Sequence, residues 1–132
     1  MRAMTMALII SLTAGVVSAK PQLRDVPEID GALLAMGIAD EIRKNCPDIS
    51  ARMVKAFNAM TEVKARARNM GYTDEEIDAY RKSDTEKARL KAMRDAYLAT
   101  GGVTEGASDA YCRLGRHEIE KGGRIGALLR MN

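Results

Sequence analysis

The stretch "PEIDGALLAMGIADEIRKNCP", residues 27–47, decides the fold. Residues 32–39 are apolar or small nearly all the way round, so a helix here needs cover on every side, as at the centre of a small bundle. Pro27 is pre-set for a first helical turn. Glu28 and Asp30 suit the positive end of the helix dipole, and Arg43 and Lys44 suit the negative end. Asn45-Cys46-Pro47 stops the helix, because a residue before proline avoids the helical region.

Moving outward toward the C-terminus, Asp48 or Ser50 is positioned to cap a second helix reaching about Met70. Its apolar stripe is Met53, Phe57, Met60, Val63, Ala67 and Met70, at spacings of three and four, with Lys55, Lys64, Arg66 and Arg68 expected opposite. Gly71 is a natural stop. Thr73 with Glu76 forms a capping box and starts a third helix near Asp74. That helix either breaks near "KSDTEK", where Ser83 or Asp84 can cap again, or runs on to about Ala99. Leu90, Met93 and Tyr97 supply its later apolar stripe. "TGG" at 100–102 ends it, and a last helix is expected from near Thr104 to Lys121, followed by Gly122-Gly123 and a short amphipathic tail, "RIGALLR". No segment alternates convincingly as a strand. The expectation is an all-α, single-domain bundle of four to five helices, residues 20–132.

Moving outward in the other direction, Lys20 to Pro27 carries two prolines and no periodic pattern, an extended lead-in. Before it, "MRAMTMALIISLTAGVVSA" (residues 1–19) has one early cation, Arg2, an apolar run from Ala3 to Val17, and a small-residue ending. These are the parts of a cleaved signal peptide, and the run is too short to span a bilayer comfortably. Cleavage after Ala19 takes 19 of 132 residues and leaves 113. Losing Arg2 lowers the formal charge from +3 to +2. The predicted location is the periplasm, with no transmembrane segment after cleavage.

Export changes how Cys46 and Cys112 are read. Two thiols in an oxidising compartment are expected to pair. Positions 112 and 46 differ by 66, and on the chain-entropy estimate closing that loop contributes roughly 4 kcal/mol. Redox pairs usually sit two residues apart, and these do not. A Cys112–His117 catalytic pair needs a free thiol, which a disulfide removes. One histidine among scattered carboxylates is a poor zinc set, so His117 reads as a surface or packing residue. "EKGGRIG" lacks the strand and the Gly-Lys-Ser/Thr ending of a phosphate loop; it reads as a helix stop, with Gly126 a close-packing point.

The basic stretches "VKARARN" and "EKARLKAMRD" raise nucleic-acid binding. Export, near-balanced charge, one Phe, four Tyr and no Trp argue against it and for solvated helix faces. Glu62 and Arg66, four apart, are placed to offset each other. The remaining positive surface suits anionic lipid headgroups or an acidic partner. The eighteen acids show no spacing that singles out a catalytic pair, so neither an enzyme nor a cofactor is expected.

Tyr111-Cys112, Leu114-Gly115, Glu118-Ile119, Gly122 and Ile125-Gly126 with Leu128-Leu129, together with the opening 27–47 segment, resemble a family of short exported proteins. That family belongs to Rhodobacterales-type alphaproteobacteria and is classed as a domain of unknown function. The resemblance implies an exported helical fold with two cysteines and carries no activity, cofactor or site residue. The expected role is an interaction or accessory protein, docking on the periplasmic side of a membrane complex. A chaperone-like or immunity-type inhibitor is the alternative.

Overall fold

A computed structural model of the chain describes residues 19–104 and 106–132; the predicted signal peptide therefore lies, but for Ala19, outside the described residues. Five helices account for most of the fold: α1 (Pro27–Asn45), α2 (Met53–Asn69), α3 (Asp74–Lys82), α4 (Asp84–Thr100) and α5 (Ser108–Lys121). The fold is all-α, as expected, with one addition. Strands β1 (Ile49–Ala51) and β2 (Leu129–Met131) pair antiparallel, Ile49 opposite Met131 and Ala51 opposite Leu129. Three-residue strands are too short to show alternation in sequence, which is why none was expected.

Helix α1 is the centre. No residue from Gly31 to Glu41 is fully exposed, and Ile38 and Ile42 are completely enclosed. Helices α2, α4 and α5, β1 and the C-terminal tail all pack on it. Pro27 sits in its first turn, and Cys46 ends it with its N–H donating to the Ile42 carbonyl. Cys46 is bonded to Cys112 of α5, with their Cα atoms 5.1 Å apart. The bond ties the end of the central helix to the helix that closes the chain.

Two apolar clusters result. The larger joins Ile38, Ile42, Cys46 and Ile49 to Leu98, Leu114, Ile125 and Leu129. Close approach of α5 is possible because position 115 is glycine: a Cβ there would lie 2.4 Å from Ile49 Cδ1 and 2.7 Å from Ile42 Cγ2. The smaller cluster joins Leu23, Val26 and Ile29 to Val63, Ala67, Tyr72 and Ile77. The lead-in is thus not a plain extended segment. Leu23–Asp25 form a 3-10 turn, and Leu23 and Val26 are buried. Tyr72 OH donates to the Pro21 carbonyl, and Lys20 Nζ donates to Gly71 O at 2.9 Å and Glu76 Oε2 at 2.6 Å.

Several local expectations are corrected. Neither Asp48 nor Ser50 caps α2; Ser50 is in β1, and α2 starts at Met53 after Arg52, whose N–H donates to Leu128 O at 2.7 Å. The last helix starts four residues later than expected, at Ser108, because Val103 turns inward first. The open question between α3 and α4 resolves as a break: Ser83 ends α3, and its side chain accepts from Glu86 N. The Thr73–Glu76 capping box is present in full. Gly122 adopts the left-handed conformation, φ 69°, as a helix stop requires.

The tail turns back over α5 at Gly126, where a Cβ would sit 1.9 Å from the Glu118 carbonyl oxygen, a backbone atom that cannot swing away. Gly126→Ala should therefore cost about 1–3 kcal/mol in urea unfolding, as overpacking does, while Gly123→Ala, where a Cβ meets open space, should change little. Replacing both Cys46 and Cys112 by alanine should cost roughly 4 kcal/mol. In the intact protein, alkylation should find two thiols only after reduction.

Candidate functional site

Helix α2 is the element the fold uses least. Only Val63 and Ala67 of its 17 residues are buried. The stripe that meets the core is Ala56, Ala59, Val63 and Ala67, rotated from the one read in the sequence. Met53 is 68% exposed, Val54 75% and Phe57 73%, and Met70 is exposed as well. The physical reason lies at α1, whose surface near this end is already shared with β1 and the C-terminal 3-10 turn (Gly126–Leu128). The alanines of α2 fill what remains, and its larger side chains are turned outward. Lys64 and Arg68 are not opposite Phe57 but follow it along one outer stripe, at spacings of seven and eleven.

On one flank of α2 an open groove of about 600 Å³ runs between it, α1 and the tail. Its floor is Ala32, Ala35, Met36, Ala59 and Val63. Its rim is Glu28, Lys55, Glu62, Arg66 and Arg124. Glu62 and Arg66 form no ion pair; both border the groove. On the other flank a smaller hollow of about 280 Å³ lies over Met36, Ala39, Met53, Ala56 and Met60. Alone among the five α-helices, α2 carries no acid in its first turn. It has Arg52 and Lys55 there instead.

The residues singled out in sequence do not converge on chemistry. His117 is exposed on α5. The Asp48 carboxylate lies within 4.8 Å of the Cys46 and Cys112 sulfurs. Those sulfurs are bonded to each other, which leaves one carboxylate and no thiolate for a metal. Glu118 is buried and accepts from Tyr97 OH, whose pKa is pushed up to about 12 by burial and by that carboxylate.

The most organised polar cluster was missed. Arg89 of α4 holds Asp30 of α1 with two nitrogens, Nη1 at 3.1 Å from Oδ2 and Nη2 on Oδ1, and donates through Nε to Glu86 at 2.8 Å. Tyr80 of α3 donates to Asp30 at 2.5 Å, and Arg24 of the lead-in pairs with Glu86. Asp30 and Glu86 are each about 8% exposed. Two arginines match two carboxylates, and the group joins four segments. The sequence signal available was the poverty of α4 in large apolar residues, which forces polar ones inward.

Residues 21–130, from the lead-in to the last strand, match the profile of a family of unknown function, DUF5333. The chain belongs to that family. No curated protein and no solved structure matches it. Among the described residues of this DUF5333 protein, no helix is long and apolar enough to cross a membrane.

The Asp30–Arg89–Glu86 cluster gives this DUF5333 protein a definite pH response. Burial pushes the Asp30 carboxyl up, but hydrogen bonds from Arg89 and Tyr80 and the charges of Arg89 and Arg24 outweigh it. Glu86 is held down first by Arg89, against burial, and then by Arg24. Both carboxyls thus lie below their ordinary values. Their contribution is fully present above about pH 4.5, the ordinary range of unfolded carboxyls. It is lost as pH falls through the lowered folded values. Arg89→Met should cost about 3 kcal/mol near neutral pH by leaving two buried carboxylates short of a partner. The acid-side fall in stability, followed by urea unfolding across pH, should be shallower in that variant.

Proposed function

We propose that the chain is an exported accessory protein that acts in the periplasm by docking on the periplasmic side of a membrane complex, not by catalysing a reaction. The observation that carries this reading is the outer face of α2. A small domain gains nothing in stability by turning Met53, Val54 and Phe57 into water, and an exposed apolar group of this kind marks an interaction surface. The leader-like residues 1–19 and the Cys46–Cys112 bond support an oxidising compartment. The best-organised carboxylates, Asp30 and Glu86, are engaged by arginine, which makes them poor general bases. A chaperone-like or immunity-type inhibitor would use the same surface on a soluble client.

Capture of the tagged protein from a periplasm-plus-membrane extract tests this. The wild type should bring down membrane components, and Phe57→Asp should reduce their recovery about tenfold, as loss of a central aromatic anchor does. Because Phe57 is exposed, the melting curve should barely move. Recovery of nothing stoichiometric, or equal recovery by both proteins, defeats the docking reading. Recovery of a soluble client without membrane favours the inhibitor.

A further inference from the structure

We propose that the outer face of α2 docks directly onto an anionic phospholipid surface, a reading that rests on the docking function above and names what that face touches. The argument begins with charge. From Arg52 to Arg68 there are five basic residues and one acid, Glu62, and from Ile49 to Thr61 there is no acid at all. Five less one is a local charge of +4, more than the +3 of the whole chain. Three less four leaves −1 for the rest of the chain, within which residues 111–132, with five bases and two acids, form a second positive stretch. Among the described residues Arg52, Lys55 and Lys64 enter no ion pair, whereas Arg68 is committed to Asp74 at 2.6 Å.

Shape then selects among anionic partners. Met53, Val54 and Phe57 stand out from a convex helix face, 68–75% exposed, with Arg52 just before them and Lys64 two turns further along Phe57's stripe, whereas Lys55, about 160° round the helix from Phe57, borders the groove on the far flank. Apolar side chains projecting among cations is the arrangement by which an interfacial helix seats itself, the apolar groups reaching the acyl boundary and the cations remaining at the phosphates. A folded acidic protein would instead have to offer a pocket shaped to three projecting side chains and acids spaced around it. A fluid headgroup layer meets both demands without a matched shape.

The test is co-sedimentation of the protein, as recovered after export, with protein-free vesicles. Mixed phosphatidylglycerol–phosphatidylcholine vesicles should retain it, and pure phosphatidylcholine vesicles should retain far less. Binding should be largely lost at about 1 M salt, where the Debye length is about 3 Å. Arg52→Gln should lower partitioning about fivefold, as expected for one interfacial cation, and Lys55→Gln, on the far flank of α2, should lower it less. Phe57→Ser should lower it about tenfold, and Arg113→Gln on α5 should leave it unchanged. These side chains are exposed, so circular dichroism melts should confirm that every variant folds. Any leader left on the chain would bind irrespective of vesicle charge and of the α2 variants. Equal binding to both vesicle types, no binding, or binding that survives the α2 variants overturns the proposal. Binding to native membranes that disappears after protease treatment, with no binding to pure lipid, overturns the lipid contact and leaves docking on a protein standing.

Discussion

Helix α1 has no face to give to solvent along its middle, and the remaining architecture follows from enclosing it. Its apolar residues point in every direction, so three helices, a short strand and the tail must share its surface. The Cys46–Cys112 bond fixes the end of α1 against α5. Gly115 lets the backbone of α5 come close enough for Ile42 and Ile49 to pack against it. The Asn132 side chain donates to Pro47 O at 2.8 Å, and its N–H donates to Asp48 O at 3.0 Å, so the last residue is anchored just beyond the disulfide. The chain's end and the end of its central helix are thereby one structural unit.

The junction of α4 with the lead-in, α1 and α3 is built on a different principle. Helix α4 offers few large apolar residues, with Leu98 near its end the one that is fully buried. Its first half docks through Glu86 and Arg89. A buried charge is costly alone and tolerable when every partner is present. Here Asp30 accepts from Arg89 and Tyr80, and Glu86 from Arg24 and Arg89, which brings the lead-in, α1, α3 and α4 into one register. Such a cluster contributes less net stability than an equal volume of leucine. It does specify a single arrangement, since a slip of either helix would strand a carboxylate.

What the sequence made legible was what local rules govern. Pro27, the Asn45-Cys46-Pro47 stop, the Thr73–Glu76 box and Gly122 act within a few residues of themselves, and each appears where those residues place it. The disulfide was legible because only two cysteines exist. The orientation of α2 was not, because Met53, Phe57 and Val63 fit one stripe equally well whichever part of it meets α1. That choice depends on how much of α1 the strand β1 and the tail have already taken. The Asp30 cluster was hidden for a related reason: Asp30, Glu86 and Arg89 each have a sufficient local explanation as helix-end or solvated charges. Only the three-dimensional meeting of four segments shows that they are partners.

The same competition for α1 bears on the candidate surface. Had α2 been present only to cover the core, turning it to bury Phe57 and Met53 in place of Ala56 would have enlarged the apolar contact. The alanines at 56 and 59 instead hold α2 close to α1 and leave the larger side chains outside. Burying a phenylalanine contributes about 2–3 kcal/mol, a sizeable part of the stability of a small domain. A sequence that forgoes that contribution at a helix of net positive charge is better accounted for by an outward-facing role of α2 than by the needs of the fold.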